Sequence, residues 1–306
     1  MPSGDKLVHI VDDVPDLGDE PLMLVVALQG FLDAGNGSGL AAEHLLSSAQ
    51  GPVVATFDVD AFHDYRARRP AISFVVDHYE SYDAPRLVVR LQRDQADRPY
   101  LLMTGPEPDS RWEGFAGAVR EVVVRLQVGL VVAMGSVPMA VPHSRPLAVT
   151  QHANRRELMH RQNNWRGELR IPSSAQAMLE VRLGKAGHDM TGYVAHVPHY
   201  LAQFDHPSAA LVLLEGVEES TGLSFDLDPL KLAAQQRDAE IAAYLEEHPE
   251  VAELVAGLEQ QYDVFTEAAD RGDNLLAHDQ PLPTGEELGE EFERFLAGLD
   301  GPEGED

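Results

Sequence analysis

The segment Leu22-Met23-Leu24-Val25-Val26-Ala27-Leu28-Gln29 is a nearly continuous apolar run that ends at Gly30. A strand has this composition when both of its faces are buried, because each face then packs against another layer of the protein. Such strands lie in the centre of parallel sheets. The segment therefore predicts a central sheet that is covered on both sides.

Further strand-like and helix-like segments alternate along the chain. This alternation is typical of α/β domains, in which helices connect neighbouring parallel strands. We therefore predict an α/β fold with a mixed sheet whose centre is mostly parallel. The predicted strands are residues 22–29, 53–57, 72–76, 87–91, 100–104, 130–136, 147–150 and 193–196, and the predicted helices are residues 40–46, 110–127, 172–183 and 207–217. The capping-box pattern Ser110-Arg111-Trp112-Glu113 predicts the start of the second of these helices.

The last part of the chain differs from the rest in charge. Residues 220–306 contain 23 acidic and 4 basic residues, and the whole chain has a formal net charge of −28. Asp228-Pro229 is a favourable helix start, and Thr284 begins a second capping pattern. We predict an α/β core domain in residues 1–222 and an acidic helical appendage with a disordered tail in residues 223–306. Apolar stripes at helical spacing comprise Val251, Leu254, Val255, Leu258, Tyr262 and Phe265, and then Leu288, Phe292, Phe295 and Leu296.

Composition excludes several functional classes. The chain has no cysteine, which excludes disulfides, thiol catalysis and cysteine-ligated zinc. A net charge of −28 repels phosphate backbones, so nucleic acid is not an expected partner. No apolar run approaches the roughly 20 residues that span a bilayer, and the first residues do not resemble a secretory signal. We expect a cytoplasmic protein without membrane contacts and without a bound cofactor.

Two Val-Pro-His segments follow predicted strands. Val141-Pro142-His143, with Ser144-Arg145 after it, follows one strand, and Val197-Pro198-His199 follows another. Proline ends a strand or confines it to a sheet edge, so both histidines are expected just past strand ends. Ligands of α/β domains bind at the carboxyl ends of parallel strands. We therefore take His143, Arg145 and His199 as candidate pocket residues; the alternative is that both histidines are buried turn residues.

A glycine-rich loop, Gly35-Asn36-Gly37-Ser38-Gly39, follows the first predicted strand. Backbone N–H groups in such a loop can bind an anion at the N-terminus of the next helix. Leu40 replaces the third glycine of the dinucleotide fingerprint, and the loop lacks a phosphate-binding lysine, so neither a dinucleotide nor ATP is expected. Gly35 and Gly37 are candidate pocket residues, with a plain surface turn as the alternative.

Charged residues in the loop 58–70 extend the candidate pocket. Arg66 and Arg69 could bind a carboxylate or phosphate, because guanidinium pairs with both in a bidentate way. Asp60 and its acidic neighbours could instead ligate a divalent metal or pair with the arginines of the same loop. The spacing matches no metal-binding motif, so no metal site is predicted.

Gly105 and Glu107 follow the predicted strand at residues 100–104 and are also candidate pocket residues. Glu107 could act as a general base if it were desolvated. The chain has no Gly-x-Ser-x-Gly nucleophile elbow, and no catalytic triad can be assigned. The sequence therefore predicts no catalytic residues.

Five motifs occur in a fixed order: Phe57-Asp58-Val59-Asp60; Asp64-Tyr65-Arg66 with Arg69-Pro70; Gly105-Pro106-Glu107-Pro108-Asp109 with Trp112; Pro142-His143-Ser144-Arg145-Pro146; and His196-Val197-Pro198-His199-Tyr200. Together they resemble the actinobacterial branch of the proteasome assembly chaperone two family, over about residues 22–223. The resemblance implies a three-layer, phosphorylase-like α/β fold and self-association. It also implies a distant relationship to eukaryotic and archaeal proteins that escort proteasome subunits. It carries over no catalytic residues.

The leading functional hypothesis is a non-enzymatic, assembly-chaperone-like protein that binds protein partners, with proteasome-related proteins as candidates. The alternative is a phosphorylase-like enzyme or small-anion binder that uses a crevice at the carboxyl ends of the strands. We also expect a homo-oligomer, because extended apolar helix faces usually mark interfaces. A trimer is favoured, since phosphorylase-like folds commonly form trimers.

Overall fold

An eight-stranded sheet forms the centre of the protein. The computed structural model describes residues 6–12, 14, 17–18, 20–48, 50–161 and 168–270. The strand order in the main sheet is β1-β3-β6-β7-β2-β8-β10-β9, and β4 and β5 form a separate hairpin. The strands are β1 (Val8–Ile10), β2 (Leu22–Gln29), β3 (Val53–Phe57), β4 (Ile72–Val75), β5 (His78–Tyr82), β6 (Val88–Arg93), β7 (Pro99–Pro106), β8 (Val128–Met139), β9 (Val149–Ala153) and β10 (Met190–Pro198).

Five of the eight strands in the main sheet point the same way. β7, β2, β8 and β10 pair in parallel. β3 shares their direction, because it is antiparallel to β6, which is itself antiparallel to β7. The predicted mixed, mostly parallel sheet is therefore confirmed. The carboxyl ends of the five strands lie along one side of the sheet, which we call the carboxyl edge.

Helices cover both faces of this sheet, so the fold has three layers. One apolar cluster joins the sheet to α3 and α4, and a second joins its other face to α1 and α5. The three-layer α/β fold is thus confirmed. The helices are α1 (Gly37–Ser48), α2 (Val59–Phe62), α3 (Trp112–Arg125), α4 (Ala175–Lys185), α5 (Pro207–Thr221), α6 (Asp228–Glu247) and α7 (Pro249–Asp270), with 3-10 turns at Ala34–Asn36, Arg156–Leu158 and His199–Leu201.

The apolar run of β2 fits this position. Leu24 and Val26 face the α3–α4 side, whereas Val25 and Ala27 face the α1–α5 side. All four side chains are buried. Successive side chains of a strand point to opposite faces, so a strand between two helical layers must be apolar at every position.

The two C-terminal helices α6 and α7 lie within residues 223–306, the predicted acidic appendage. Leu227 and Leu230, at the start of α6, join the apolar cluster of α1 and α5. Val255 and Leu258 of α7 pack against Tyr200. No helix in the described ranges is both long enough and apolar enough to cross a membrane. The helix predicted after Thr284 lies outside the described residues.

The structure differs from the sequence prediction at Ser110. The predicted capping box is absent: α3 begins after Arg111, whose backbone is left-handed with φ 54°, and no side chain caps it. The Ser110 hydroxyl donates instead to the carbonyl of Ala61, at 3.3 Å. The local pattern failed because the hydroxyl found a partner in a loop that is distant in sequence.

The hairpin of β4 and β5 is a second difference. The sequence predicted β4 as one more strand of a layered domain, and β5 was missed. Both strands are exposed along their whole length, and we call residues 72–82 the arm. The arm carries an aromatic pair, Phe74 and Tyr79, whose ring centroids are 5.2 Å apart. A two-stranded hairpin is only marginally stable alone, so the arm needs packing against another protein surface to be stable.

Candidate functional site

The carboxyl edge carries all ten candidate pocket residues, in two sets. The β8–β10 set and the β3–β7 set lie toward opposite ends of this edge. β3 and β10 are five strand positions apart, which corresponds to about 24 Å. The first set contains Gly35, Gly37, His143, Arg145 and His199, and the second contains Asp60, Arg66, Arg69, Gly105 and Glu107.

Tyr200 holds His143 in the β8–β10 set. Its hydroxyl accepts the backbone N–H of His143 at 2.9 Å and lies 2.8 Å from the Nδ1 atom of the same residue. Burial lowers the pKa of His143, although Asp238 and Glu259 act in the opposite direction. The imidazole is therefore neutral near pH 7 and is oriented by a tyrosine that is itself buried.

Two more imidazoles lie close by. The Nδ1 atom of His199 is 3.3 Å from the carbonyl of Met139, and burial lowers the pKa of His199. His206 was not predicted from the sequence, yet it is only 2% exposed. Burial, with smaller effects from His143 and Arg237, lowers the pKa of His206 to about 4. The edge thus collects neutral, desolvated histidines.

The glycine loop packs against the same histidines. Gly35 has φ 66° and accepts the backbone N–H of His206 at 2.9 Å. A Cβ atom at Gly35 would lie 2.9 Å from the Cβ atom of His206. Gly37 begins α1 and is equally confined, since its Cβ would lie 2.9 Å from the Ser136 hydroxyl. Both glycines therefore allow close packing of the loop on β8 and on the start of α5.

The carboxylate of Asp33 lies at the N-terminus of α1, where an external anion was considered as a ligand of the glycine-rich loop. Its carboxylate accepts the backbone N–H of Ser38 at 2.7 Å and the Ser38 hydroxyl at 2.6 Å. Burial raises the pKa of Asp33. A helix N-terminus favours a negative group, and here the chain supplies its own. An external anion would have to displace this carboxylate.

Helix α7 lies over the β8–β10 set. The Arg145 guanidinium donates to both oxygens of Asp263, at 2.8 and 2.7 Å, and Glu259 lies 3.6 Å away. The hydroxyl of Ser144 donates to Glu259. The hydrogen bond with Arg145 lowers the pKa of Asp263. Arg145, which was predicted as a ligand-binding cation, is thus engaged by the appendage.

Glu107 connects three segments in the β3–β7 set. One of its carboxylate oxygens accepts the backbone N–H of Phe31 at 3.1 Å, and the other accepts that of Ala175 at 2.6 Å. Ala175 begins α4, so the negative charge lies at a helix N-terminus, where it is stabilising. This carboxylate joins β7, the segment that follows β2, and α4. Its contacts do not require a catalytic role.

Arg68 and Asp109 order the loop beside Glu107. Arg68 donates to the carbonyl of Glu107 at 2.6 Å and pairs with Asp109 at 2.7 Å. Asp109 also accepts the backbone N–H of Asp64, at 2.7 Å. Gly105 has φ 141°, and a Cβ atom there would lie 2.2 Å from the carbonyl oxygen of Arg86. The sequence singled out the neighbouring Arg66 and Arg69, whereas Arg68 makes the internal contacts.

Asp60 and its neighbours border a groove at the base of the arm. Tyr65 donates its hydroxyl to Asp60 at 2.5 Å, which raises the pKa of Tyr65 to about 12. Arg66 and Arg69 are exposed, and neither side chain forms an ion pair with any described residue. The groove has a volume of about 600 Å³ and is lined by residues that include Thr56, Asp58, Asp60, Tyr65, Tyr82 and Arg86.

The profile of the PAC2 family matches residues 27–245. The chain belongs to the PAC2 family. The family relationship predicted from the five motifs is therefore confirmed. No curated protein sequence matches the chain at a significant level.

Solved structures agree with the PAC2 assignment. The Mycobacterium tuberculosis protein Rv2714, of unknown function, is 40% identical, with a TM-score of 0.82 over 88% of this chain and 93% of that chain. A Corynebacterium glutamicum protein of unknown function is 34% identical, with a TM-score of 0.80 over 85% and 97%. The Mycobacterium tuberculosis proteasome-assembly chaperone homologue Rv2125 is 29% identical, with a TM-score of 0.68 over 76% and 100%.

In this PAC2 protein, the described residues contain no group of three or more histidine, aspartate or glutamate side chains that could hold a metal ion. Arg145, which follows His143 in the chain, pairs with Asp263 and Glu259 of α7. Sequence reasoning missed this pairing, although Glu259 and Asp263 lie four residues apart on the appendage helix and so share one of its faces.

Proposed function

We propose that this PAC2 protein is a cytoplasmic, non-enzymatic assembly chaperone that binds protein partners, with proteasome subunits as the candidate clients. Its family membership carries the proposal, together with the 29% identity to a proteasome-assembly chaperone homologue. The pairing of Arg145 with Asp263 of α7 supports it as well, because this guanidinium already has a carboxylate partner within the chain.

An exposed acidic surface on the appendage fits such a role. Glu246, Glu247, Glu250 and Glu253 are all exposed, around the junction of α6 and α7. Charged residues on an interface rim increase the rate of association and make it depend on salt. A client with a basic surface would be attracted to this face. Val255 and Leu258 of α7 pack against Tyr200 and so attach the helix to the core.

Neutralising this surface is the test of the proposal. Replacing Glu246, Glu247, Glu250 and Glu253 by glutamine should reduce capture of purified proteasome core subunits by about tenfold at low salt, because each rim charge contributes to steering. The measurement is a quantitative pull-down from purified components at two salt concentrations. A matched variant changes four exposed acids on the core, Glu43, Glu121, Glu157 and Glu215, and should bind as the unmodified protein does.

A crevice that binds a small molecule is the second candidate function, and the buried histidines favour it. A specific ligand at about 100 times its Kd would raise the free energy of unfolding by about 2.7 kcal/mol. A panel of small molecules, screened by thermal shift, tests for such a ligand, and His143→Ala should abolish the rise in stability that it causes. If this result is obtained, and if neither of the two four-residue glutamine variants changes client capture, the assembly-chaperone proposal fails.

We also propose that the protein forms a homo-oligomer, with a trimer favoured. The arm supports this, because Phe74 is 59% and Tyr79 is 69% exposed on a hairpin that is too small to be stable alone. Replacing both residues by serine should convert the oligomer to a monomer in light scattering at micromolar concentration. Phe31→Ser, at a position that is 62% exposed on the carboxyl edge, is the matched control and should keep the oligomeric mass. A monomeric mass for the unmodified protein contradicts the proposal.

A further inference from the structure

Helix α7 is attached to the rest of the protein by few side chains. Among its described side chains only Val255 and Leu258 are buried, and both pack against Tyr200. Helix α5, in contrast, buries a set of six residues, namely Ala209, Ala210, Leu213, Leu214, Gly216 and Val217. Segments with few buried apolar contacts open at a lower free energy than the whole protein unfolds. We therefore expect α7 to separate from the core more readily than α5 does.

The polar contacts between α7 and the core are partly exposed to water. The side chains of Arg145 and Asp263 are 32% and 48% exposed, although two hydrogen bonds join them. Glu259 lies 3.6 Å from the same guanidinium, and the Tyr262 hydroxyl donates to the carbonyl of Pro146 at 3.3 Å. Ion pairs that water reaches contribute little to stability. These contacts therefore orient α7 on the core more than they hold it there.

A single residue, His248, connects α6 to α7. α6 ends at Glu247 and α7 begins at Pro249. The His248 ring stacks on Tyr244 of α6, with the ring centroids 3.9 Å apart. Hinges of moving elements consist of a few residues at the ends of such elements. The connection therefore allows α7 to move as one helix about this point.

The face beneath α7 combines an apolar floor with a guanidinium. Tyr200 and Leu201 contribute to the floor, on which the apolar side chains of α7 pack. Arg145 and the hydroxyl of Ser144 contact the carboxylates that follow on the same side of α7. The face therefore fits an amphipathic helix on which two apolar residues are followed by two carboxylates one turn apart.

We propose that α7 is a displaceable cover, and that the face beneath it binds an acidic amphipathic helix of a protein partner. The partner helix presents two apolar residues to Tyr200 and two carboxylates to Arg145, as α7 does. The tether gives α7 an effective concentration on the order of millimolar, so α7 excludes acidic helices that bind weakly. This inference goes beyond the proposed chaperone function, because it requires neither a proteasome subunit nor a basic client surface.

The absence of cysteine allows the opening of α7 to be measured directly. Val255→Cys on α7 and Val217→Cys on α5 place the same substitution at positions that are 4% and 0% exposed. Once urea denaturation shows that both full-length variants are folded, the Val255→Cys thiol should react with a maleimide at least about 100-fold faster, because α7 opens without global unfolding. Equal rates would overturn the displaceable cover.

A second comparison tests the carboxylates of α7. Removing them with Glu259→Gln and Asp263→Asn should speed modification of Val255→Cys by about tenfold, since the guanidinium on the core then has no carboxylate partner on α7. Glu250→Gln with Glu253→Gln removes the same charge from exposed positions of the same helix and should not speed the reaction. An equal increase in the two double variants would contradict the assigned role of the ion pairs.

A synthetic peptide of residues 249–270 serves as the probe for the partner helix, because it carries the required pattern. In fluorescence anisotropy, the full chain with Glu259→Gln and Asp263→Asn should bind this peptide about tenfold more tightly than the unmodified chain, whose own α7 competes with it. Adding Arg145→Gln to that variant, or the two amide substitutions to the peptide, should abolish binding. A peptide that binds neither chain, or both equally, would show that the proposal is wrong.

The same reagents distinguish a partner from a second copy of the chain. Opening within one chain is independent of concentration, so the modification rate of Val255→Cys should be unchanged over about a fifty-fold range of protein concentration. A rate that falls as the concentration rises would assign the face to α7 of a second copy and overturn the proposal. None of these measurements uses client capture, so the chaperone proposal can fail or hold independently.

Discussion

Replacing Asp94 by alanine is expected to lower the free energy of unfolding by about 3 to 5 kcal/mol, because it leaves a buried hydrogen-bonding network without its acceptor. The Asp94 carboxylate is fully buried in the turn between β6 and β7. One oxygen accepts the backbone N–H groups of Ala96 and Arg98, each at 2.9 Å. The other accepts two guanidinium bonds from Arg98, at 2.9 and 2.6 Å, and the backbone N–H of Ser224 at 3.0 Å.

These bonds tie one end of the sheet to the segment between α5 and α6, so the loss is expected to be global. Urea denaturation of the full chain measures it. Glu240→Ala removes an exposed partner of Arg237 and should change stability by less than about 0.5 kcal/mol. A loss of less than about 1 kcal/mol at Asp94 would show that the network contributes little beyond an ordinary hydrogen bond.

Acidification from pH 7 to pH 4 should destabilise the protein by about 3 kcal/mol through His206 alone. The pKa of His206 falls from 6.5 to about 4 on folding, chiefly because the ring is buried. Between pH 6.5 and pH 4, His206 is mostly protonated in the unfolded chain and mostly neutral in the folded chain. The stabilisation is therefore complete above pH 6.5 and is lost as the pH falls toward 4. His143, His196 and His199 shift in the same direction and add to the loss.

Thermal unfolding measured across this pH window tests the assignment. His206→Asn cannot titrate, so its Tm should fall less steeply with pH than that of the unmodified protein. His78→Asn changes an exposed histidine of the arm and should keep the original slope. If the His206 variant also keeps that slope, the acid sensitivity arises elsewhere, for example in the hydrogen-bonded carboxylates of Asp94 and Asp109.

The sequence predicted the core strands well because burial on two faces leaves a strong local signal. The run at β2 and the runs at β3, β7 and β8 needed only their apolar composition to be recognised. β5 failed this criterion, since its residues His78-Tyr79-Glu80-Ser81-Tyr82 include no aliphatic side chain. Ser110 failed because its partner at Ala61 is 49 residues away, and no local pattern encodes that contact.

The candidate site was predicted in part for a related reason. Prolines before His143 and His199 mark strand ends, and a mostly parallel sheet places such ends along one edge. The order of strands decides which ends are neighbours, and it cannot be derived from one sequence. The packing of α7 over His143 and Arg145 could not be predicted either, because Asp263 lies 118 residues from Arg145 in the sequence. His206 carries no flanking signal, and only the packing of Gly35 against it reveals its burial.

The position of β2 has a consequence for biosynthesis. β2 is complete at Gln29, but its two neighbours begin only at Pro99 and Val128. At a translation rate of about 5 to 20 residues per second, the ribosome needs about 3 to 14 seconds to add the 69 residues that separate Gln29 from Pro99. During that interval the most apolar segment of the chain has no sheet to join, and such segments aggregate readily. A nascent chain with this topology is therefore exposed to aggregation until the ribosome has completed β7 at Pro106.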